Sequence, residues 1–182
     1  ATRAQGRELL DLTASNPTVV GLAHDWAAIS VALADARGAR YDPQPLGAVA
    51  ARAVVAATWS AEGVPITAER LLLTASTSEA YGLLFQLLCD PGDQLLVPRP
   101  SYPLLDHLAR LSGVELVDYP LSYDGAWHLD VAQVAARRTP RTRGVVVVQP
   151  NNPTGSRLDR AELAALALDL LDGALGNGGA GK

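Results

Sequence analysis

Three loop segments carry side chains whose types and spacing could hold a small charged ligand. In the first, TASTSEAY (74–81), the hydroxyls of Ser76, Thr77 and Ser78 coincide with the predicted start of a helix. A helix N-terminus exposes free backbone N–H groups and the positive end of a dipole, which suit an anion such as phosphate. The same residues also fit an ordinary Ser/Thr helix cap with Glu79 in the first turn. Both interpretations stay open from this segment alone.

The second and third segments each present one polar group on a stiff backbone. In VPRPSYPLL (97–105), three prolines surround Tyr102, so its ring could face a flat, electron-poor heterocycle. A packed loop aromatic has the same signature. In QPNNPTGS (149–156), Asn152 precedes Pro153, which favours an extended backbone and leaves the amide free to donate. A plain Asx/Pro turn has the same composition.

Apolar runs and helical periodicity predict the elements that must position these loops. The predicted strands are 71–74, 95–97, 114–121 and 145–149, and the predicted helices are 26–37, 47–62, 77–89, 101–112, 130–138 and 160–171. This alternation is typical of an α/β fold with three layers, helices on both faces of a mostly parallel sheet. The three loops follow the first, second and fourth strands, so a parallel sheet would gather them at one edge.

The composition favours a globular chain that acts on small molecules. Of its 182 residues, 48% are hydrophobic and 19% are charged, and the formal net charge is −4. Because this charge offers no basic field, we expect neither nucleic acid nor a membrane as a partner. The sequence shows neither a leader nor an apolar run of about 18 residues, and we expect a cytoplasmic protein. The three histidines lack metal-ligand spacing, so no metal is expected, and the arginines within 137–143 are interpreted as a solvated surface.

Taken in order, the motifs resemble those of class I/II aminotransferases, fold type I enzymes that depend on pyridoxal 5′-phosphate (PLP). The matching stretches are DLTASNPT (11–18), YDPQPLG (41–47), LLLTASTSEAYGLLFQLL (71–88), PGDQLLVPRPSYPLL (91–105) and QPNNPTGS (149–156). The combination of NNPTG with an upstream PSYP and PGD is specific, and the resemblance covers nearly the whole chain. It implies transamination between amino acid and 2-oxo acid substrates, in a homodimer that serves amino acid metabolism.

The resemblance assigns roles around the cofactor to the three loops. It implies that Ser76, Thr77 and Ser78 lie in the segment that binds the phosphate of PLP. It implies that Tyr102 is the aromatic residue that stacks on the pyridine ring. Asn152 corresponds to the asparagine that donates a hydrogen bond to the phenolic oxygen. These roles agree with the chemistry of each side chain, since hydroxyls suit a dianion and an amide donor suits a phenolate.

Two further residues outside these loops gain roles from the resemblance. Tyr41 corresponds to a tyrosine that crosses a dimer interface to the phosphate of the neighbouring subunit. Ser15 falls at a position usually held by a glycine whose backbone faces the substrate carboxylate. The resemblance also implies the domains: an N-terminal arm with part of the small domain (1–45), an incomplete PLP-binding large domain (46–172) and a Gly-rich tail (173–182).

The resemblance implies a catalytic lysine for which the sequence shows no matching motif. Of the 15 cationic residues, 14 are arginines, and the lysine is Lys182 in the Gly-rich tail. In the family, the lysine that binds PLP covalently lies well downstream of NNPTG. We therefore expect this chain to hold contacts to the cofactor and no catalytic residue.

The resemblance also makes an expectation for the sheet and leaves the reaction open. In the family, the second, third and fourth predicted strands are neighbours in the order three-two-four, whereas the first pairs with strands from later in the sequence. A PLP-dependent lyase or synthase of the same fold shares the cofactor loops. A non-catalytic PLP-fold segment, such as part of a regulator, shares them too.

Overall fold

The computed structural model describes residues 16–176, and their side chains as far as Leu170. The chain divides into two compact units, with the boundary between Leu71 and Leu72. The domain division predicted near residue 45 stays a prediction. None of the helices in the described part has both the length and the apolar composition needed to cross a bilayer.

The described part of the first unit, residues 16–71, contains two α-helices and two short 3-10 helices. They are α1 (Trp26–Leu33), a 3-10 helix (Ala36–Ala39), α2 (Val49–Ala61) and a 3-10 helix (Ala68–Arg70). The buried side chain of Arg52 fixes the loops at both ends of α2. Its Nε donates to the carbonyl of Gly47 at 3.0 Å, and its Nη1 donates to that of Ala68 at 2.6 Å.

The second unit is a four-stranded sheet with helices. Its strands are β1 (Gln94–Arg99), β2 (Glu115–Tyr123), β3 (Trp127–Leu129) and β4 (Thr142–Val145), and its helices are α3 (Thr77–Leu88), α4 (Leu104–Leu111), α5 (Val131–Ala135) and α6 (Arg160–Gly176). The strand order is β3-β2-β1-β4. Strand β1 pairs in parallel with β2 and β4, and β3 is antiparallel to β2. The predicted α/β fold is confirmed, and β2-β1-β4 reproduces the three-two-four order.

Alternate side chains of β1 build an apolar core on each face of the sheet. Leu95 and Val97 pack on one face in a cluster with residues of α3 and α4, among them Phe85 and Leu105. Leu96 lies on the other face, in a cluster whose other buried members are Tyr119, Leu129, Val134 and Leu166. A strand buried on both faces reads as a continuous apolar run, which is why this segment was predictable. The sheet is therefore the middle of three layers, as expected.

Several element predictions are wrong. Residues 71–74 form no strand, and Leu72 and Leu73 are exposed, because a strand is stable only beside a partner and the described sheet offers this segment none. The fourth strand is Thr142–Val145 rather than 145–149, since its register is set by pairing with β1 and not by the valine run. Strand β3 was missed because its sequence, Trp-His-Leu, is too short to show alternation.

The last helix and the predicted tail also differ from expectation. Helix α6 begins at Arg160 as predicted and continues to Gly176 rather than ending near residue 171. A glycine inside a helix costs only about 1 kcal/mol, so Gly173 does not terminate it. Of the predicted tail, residues 177–182 lie outside the described residues.

The turn that precedes β1 is fixed by the carboxylate of Asp93. It accepts from the backbone N–H of Asp90 at 2.9 Å and from Nε of Arg143 at 2.7 Å. The hydrogen bond from the Arg143 guanidinium, followed by that from Asp90, lowers the pKa of Asp93. Arg143 belongs to β4, so this ion pair ties the start of β1 to the neighbouring strand.

All four arginines within 137–143 have partners in the protein, so their interpretation as a solvated surface is incomplete. Arg138 pairs with Asp169 at 3.2 Å, and Arg141 pairs with Glu115 at 3.1 Å. Arg137 donates to the Gln133 side chain at 2.7 Å. With the Arg143 pair, these contacts connect α5 and β4 to the elements around them.

The first testable prediction concerns the hydroxyl of Tyr119, which donates to the carbonyl of Val146 at 2.8 Å. Tyr119→Phe should lower the free energy of unfolding by about 1–2 kcal/mol, because it leaves that carbonyl without its partner. The measurement is urea denaturation. Tyr123→Phe is the matched control, since Tyr123 is 64% exposed and should tolerate the change. Equal effects for both variants would contradict the prediction.

The second prediction concerns pH. Because the pKa of Asp93 is lowered in the folded chain, its stabilising contribution is present above the ordinary carboxyl pKa of about 3.9 and is lost as the pH falls through the lowered value. The loss of stability in Asp93→Asn, measured by denaturation, should therefore be largest near neutral pH and shrink in acid. Arg143→Gln should give the same pattern. A loss that is constant from neutral to acidic pH would argue against the ion pair.

Candidate functional site

The N-terminus of α3 is closed by a reciprocal pair of hydrogen bonds. The Ser76 hydroxyl accepts from the N–H of Glu79 at 3.2 Å, and the Glu79 carboxylate accepts from the N–H of Ala75 at 2.6 Å. This is a variant of the capping box, in which Glu79 bonds to the residue before the cap instead of to the cap itself, so the cap interpretation holds for Ser76. Thr77 is exposed and Ser78 is half-buried. Neither hydroxyl has a hydrogen-bond partner among the described residues, so both can bind a ligand.

Tyr102 lies in the loop before α4, and α4 packs with α3 in one apolar cluster. The pKa of Tyr81 in α3 is raised by burial and, to a lesser extent, by the Tyr102 phenol. Tyr81 follows Ser78 by three residues, so the two side chains share one face of the helix. The structure thus brings the second predicted loop beside the first. Tyr102 itself is half-buried.

The strand end before Tyr102 is held by ion pairs. Arg99, the last residue of β1, pairs with Asp106 of α4 at 2.6 Å and with Asp118 of β2 at 2.9 Å. The loop that carries Tyr102 therefore begins at a fixed point and ends in α4, to which the same arginine is bound. Its path is defined at both ends.

The third predicted loop contacts the second through Asn151. The Asn151 side-chain Nδ2 donates to the carbonyl of Pro100 at 3.1 Å. The neighbouring Asn152 is exposed and has no hydrogen-bond partner among the described residues. Its amide is therefore available, as the sequence predicted.

Two residues that were predicted for the site, Tyr41 and Ser15, do not belong to the described part of the second unit. Tyr41 belongs to the first unit, where its side chain is 91% exposed. Ser15 lies outside the described residues. Their roles stay predictions.

Sequence reasoning missed three residues of the site, Asn151, Ser101 and Tyr81. Asn151 and Ser101 are buried, with 5% and 8% exposure. The Asn-Asn doublet gave no sign of which amide turns inward. The spacing of Tyr81 from Ser78 was a readable signal, because it places a second phenol one helical turn from the hydroxyls.

A small apolar cavity adjoins Asn151. Its lining includes Pro98, Tyr119, Val147 and Leu158 together with Asn151, and its volume is about 10 Å³. That is room for about one water molecule. The cavity is too small for a heterocycle and is not the predicted ligand site.

The donors around the α3 N-terminus suit a phosphorylated heterocycle. Two free hydroxyls, Thr77 and Ser78, stand where the helix dipole favours an anion. A phenol and an exposed carboxamide, Tyr102 and Asn152, follow the same sheet edge, at the ends of β1 and β4. Next to them in the chain are two buried polar atoms, Ser101 Oγ and Asn151 Oδ1, which have no hydrogen-bond partner within the described part of the chain. The chemistry of this set fits phosphate, an aromatic ring and a phenolate oxygen.

Comparison with known proteins identifies the family. Residues 7–170 match the family model for aminotransferase class I and II. The chain belongs to the class I and II aminotransferases. The resemblance seen in the motifs is therefore confirmed, and members of this family are PLP-dependent.

Individual class I and II aminotransferases show the same relationship. Glutamate-pyruvate aminotransferase AlaA of Escherichia coli (strain K12) is 32% identical over 154 residues, 84% of this chain and 38% of the relative. Aspartate/prephenate aminotransferase of Thermus thermophilus is 33% identical over 166 residues, 91% of this chain and 43% of the relative. The structure of alanine aminotransferase from Pyrococcus furiosus superimposes with a TM-score of 0.77 at 28% identity, covering 94% of this chain and 44% of that one. The chain thus spans about two fifths of the length of these aminotransferases.

The capping box gives a prediction that separates the two interpretations of the α3 N-terminus. Ser76→Ala should lower the free energy of unfolding by about 1 kcal/mol, because the N–H of Glu79 loses its acceptor. Thr77→Ala is the matched control, since its exposed hydroxyl caps nothing. Urea denaturation of both variants is the measurement. If Thr77→Ala proved as destabilising as Ser76→Ala, the assignment of the cap would be wrong.

Proposed function

We propose that this chain contributes part of the cofactor site of a PLP-dependent aminotransferase that moves an amino group between an amino acid and a 2-oxo acid. The observation that carries the proposal is the junction of the two loops at the carboxyl edge of β1 and β4. There the Asn151 side chain bonds to Pro100, close to Tyr102 and Asn152. The family match over residues 7–170 supports the same reaction class.

Each site residue has one task in this proposal. PLP, when bound, supplies an electron sink for negative charge at the substrate α-carbon. Thr77 and Ser78 donate hydroxyl hydrogen bonds to its phosphate beside the free N–H groups of α3. The ring of Tyr102 stacks on the pyridine face and excludes water from it. Asn152 donates from Nδ2 to the phenolic oxygen and favours its ionised form.

Ser76 contributes to the proposed phosphate site indirectly, as the cap of α3. Its hydroxyl is committed to the capping box, and the cap orients the first turn of α3. The N–H groups of that turn then point together at one anion. Ser76 thus supports the phosphate segment chiefly through the helix it begins.

The other two predicted residues, Tyr41 and Ser15, have roles in the proposal that need the intact enzyme. We infer that Tyr41, with its fully accessible side chain, reaches the phosphate site of a second subunit in a homodimer. Ser15 would present its backbone to the substrate carboxylate. We assign no catalytic residue to this chain, and Lys182 takes no covalent role. A cytoplasmic location stays a prediction.

The alternatives keep the same cofactor contacts. A lyase or synthase of this fold, or a non-catalytic segment, would also bind PLP through Tyr102 and Asn152. The curated relatives described above carry aminotransferase names, and this favours transamination.

The proposal is tested by titrating the 182-residue chain with PLP and following the quenching of tryptophan fluorescence. Tyr102→Leu and Asn152→Ala should each raise the dissociation constant roughly tenfold, through loss of ring stacking and of an amide donor. Tyr123→Leu is the matched control, because Tyr123 is an exposed tyrosine of the same unit on the β2–β3 hairpin.

Two outcomes would count against the proposal. Equal binding by Tyr102→Leu and Tyr123→Leu would remove the stacking role. Borohydride treatment of the PLP complex followed by mass mapping tests the other claim. A covalent adduct mapped to Lys182 would show that the chain does supply its own lysine.

A further inference from the structure

We propose that Asn151 is the positioning residue that sets Tyr102 and Asn152 in their binding geometry, by locking the loop after β1 to the loop after β4. The inference deepens the proposed function and rests on it. It assigns a task to the first asparagine of the doublet, whose side chain points away from the exposed edge where Asn152 lies.

Asn151 is buried in a loop whose other residues are largely exposed. It has 5% exposure, whereas Gln149, Pro150 and Asn152 are all exposed. Burying a carboxamide costs free energy unless its polar atoms are bonded. Among these residues only Asn151 is buried, which indicates that its amide has a structural task.

The hydrogen bonds of Asn151 show what that task is. Its Nδ2 donates to the hydroxyl of Thr154 at 2.9 Å and to the carbonyl of Pro100 at 3.1 Å. Its backbone N–H donates to the carbonyl of Ser156 at 2.8 Å, and its own carbonyl accepts from Gly155 at 2.7 Å. Three of these four bonds close the loop on itself. The bond to Pro100 spans 51 residues and joins it to the loop of Tyr102.

The orientation of the amide is determined by its donor side. Oδ1 of Asn151 is buried and has no hydrogen-bond partner among the described residues, so none of them holds the amide from its acceptor end. Both hydrogens of Nδ2, in contrast, are used. Turning the amide over would place its oxygen against the Pro100 carbonyl, which can only accept, whereas the Thr154 hydroxyl could donate to it. The bond to Pro100 is therefore the reason that this side chain is an amide with its nitrogen turned inward.

The two ligand residues lie next to the ends of this bond in the chain. Tyr102 follows Pro100 by two residues, and Asn152 follows Asn151 directly. Ser101, between Pro100 and Tyr102, is also buried. Without the bond, no other hydrogen bond among the described residues joins the two loops, and the separation of ring and amide is free to change. Small displacements of a positioned group cost much of its binding contribution.

The experiment uses the 182-residue chain labelled with 3-fluorotyrosine, whose five tyrosines give five fluorine NMR signals. The Tyr102 signal is the one missing in Tyr102→Phe. Asn151→Ala should shift this signal in the absence of any cofactor. Thr154→Val is the matched control, because it removes the other acceptor of the same Nδ2 and leaves the bond to Pro100 in place. It should leave the Tyr102 signal where it is.

A second measurement tests whether Asn151→Ala weakens PLP binding by displacing Tyr102. Asn151→Ala should raise the PLP dissociation constant roughly tenfold in the wild-type background and clearly less in the Tyr102→Leu background, as coupled residues do. A purely structural role would weaken binding by the same factor in both. The induced circular dichroism of bound PLP should also fall in Asn151→Ala at saturating cofactor.

The outcomes separate this inference from the proposed function. An unshifted Tyr102 signal in Asn151→Ala, or equal factors in the two backgrounds, overturns the positioning role. Absence of PLP binding by the wild type overturns the proposed function, and the fluorine signals still decide whether Asn151 holds Tyr102. If Asn151→Ala does not fold, Asn151→Ser takes its place, since its shorter side chain cannot reach the Pro100 carbonyl.

Discussion

The second unit depends on strand β1, because β1 pairs in parallel with a strand on each side and buries side chains on both faces of the sheet. Its register with β2 runs the whole length of the strand, from Gln94 opposite Glu115 to Arg99 opposite Pro120. Both apolar clusters include residues of this one strand. The ends of β1 are fixed by charge, through Asp93 with Arg143 at its start and Arg99 with two aspartates at its finish. The loop of Tyr102, which follows β1, therefore begins at a fixed position.

Parallel pairing has a direct chemical result at the carboxyl edge. It places the loops after β1 and β4 side by side although they are about fifty residues apart in sequence. The amide of Asn151 then closes the gap between them. Helix α3, which carries the hydroxyls, packs with α4 in one apolar cluster, and Tyr102 lies in the loop before α4. The candidate site thus draws on one sheet edge and one helix end, in a member of the class I and II aminotransferases.

Much of this arrangement was predictable from the sequence, for physical reasons that differ by element. The apolar runs of β1 and β2 and the helices between them follow from local pattern. The strand predicted at 71–74 failed because pairing, and not apolarity alone, makes a strand. The sequence could not tell which hydroxyl of the cluster caps α3 and which ones stay free of hydrogen bonds among the described residues, since Ser76 and Ser78 are the same residue type. The inward turn of Asn151 depends on a carbonyl 51 residues away, which no local pattern records.

The short antiparallel strand β3 forms one border of the sheet. It covers the outer side of β2 with only three residues, and the tight return through Gly125 leaves the Tyr123 and Trp127 rings in contact across the hairpin. Strand β3 pairs with only Leu121, Ser122 and Tyr123 of the nine residues of β2. Within the described residues, the opposite border at β4 keeps its outward N–H and C=O groups available. The sheet therefore ends in two short borders, three residues at β3 and four at β4, and their length limits how many backbone hydrogen bonds a further strand could form with either of them.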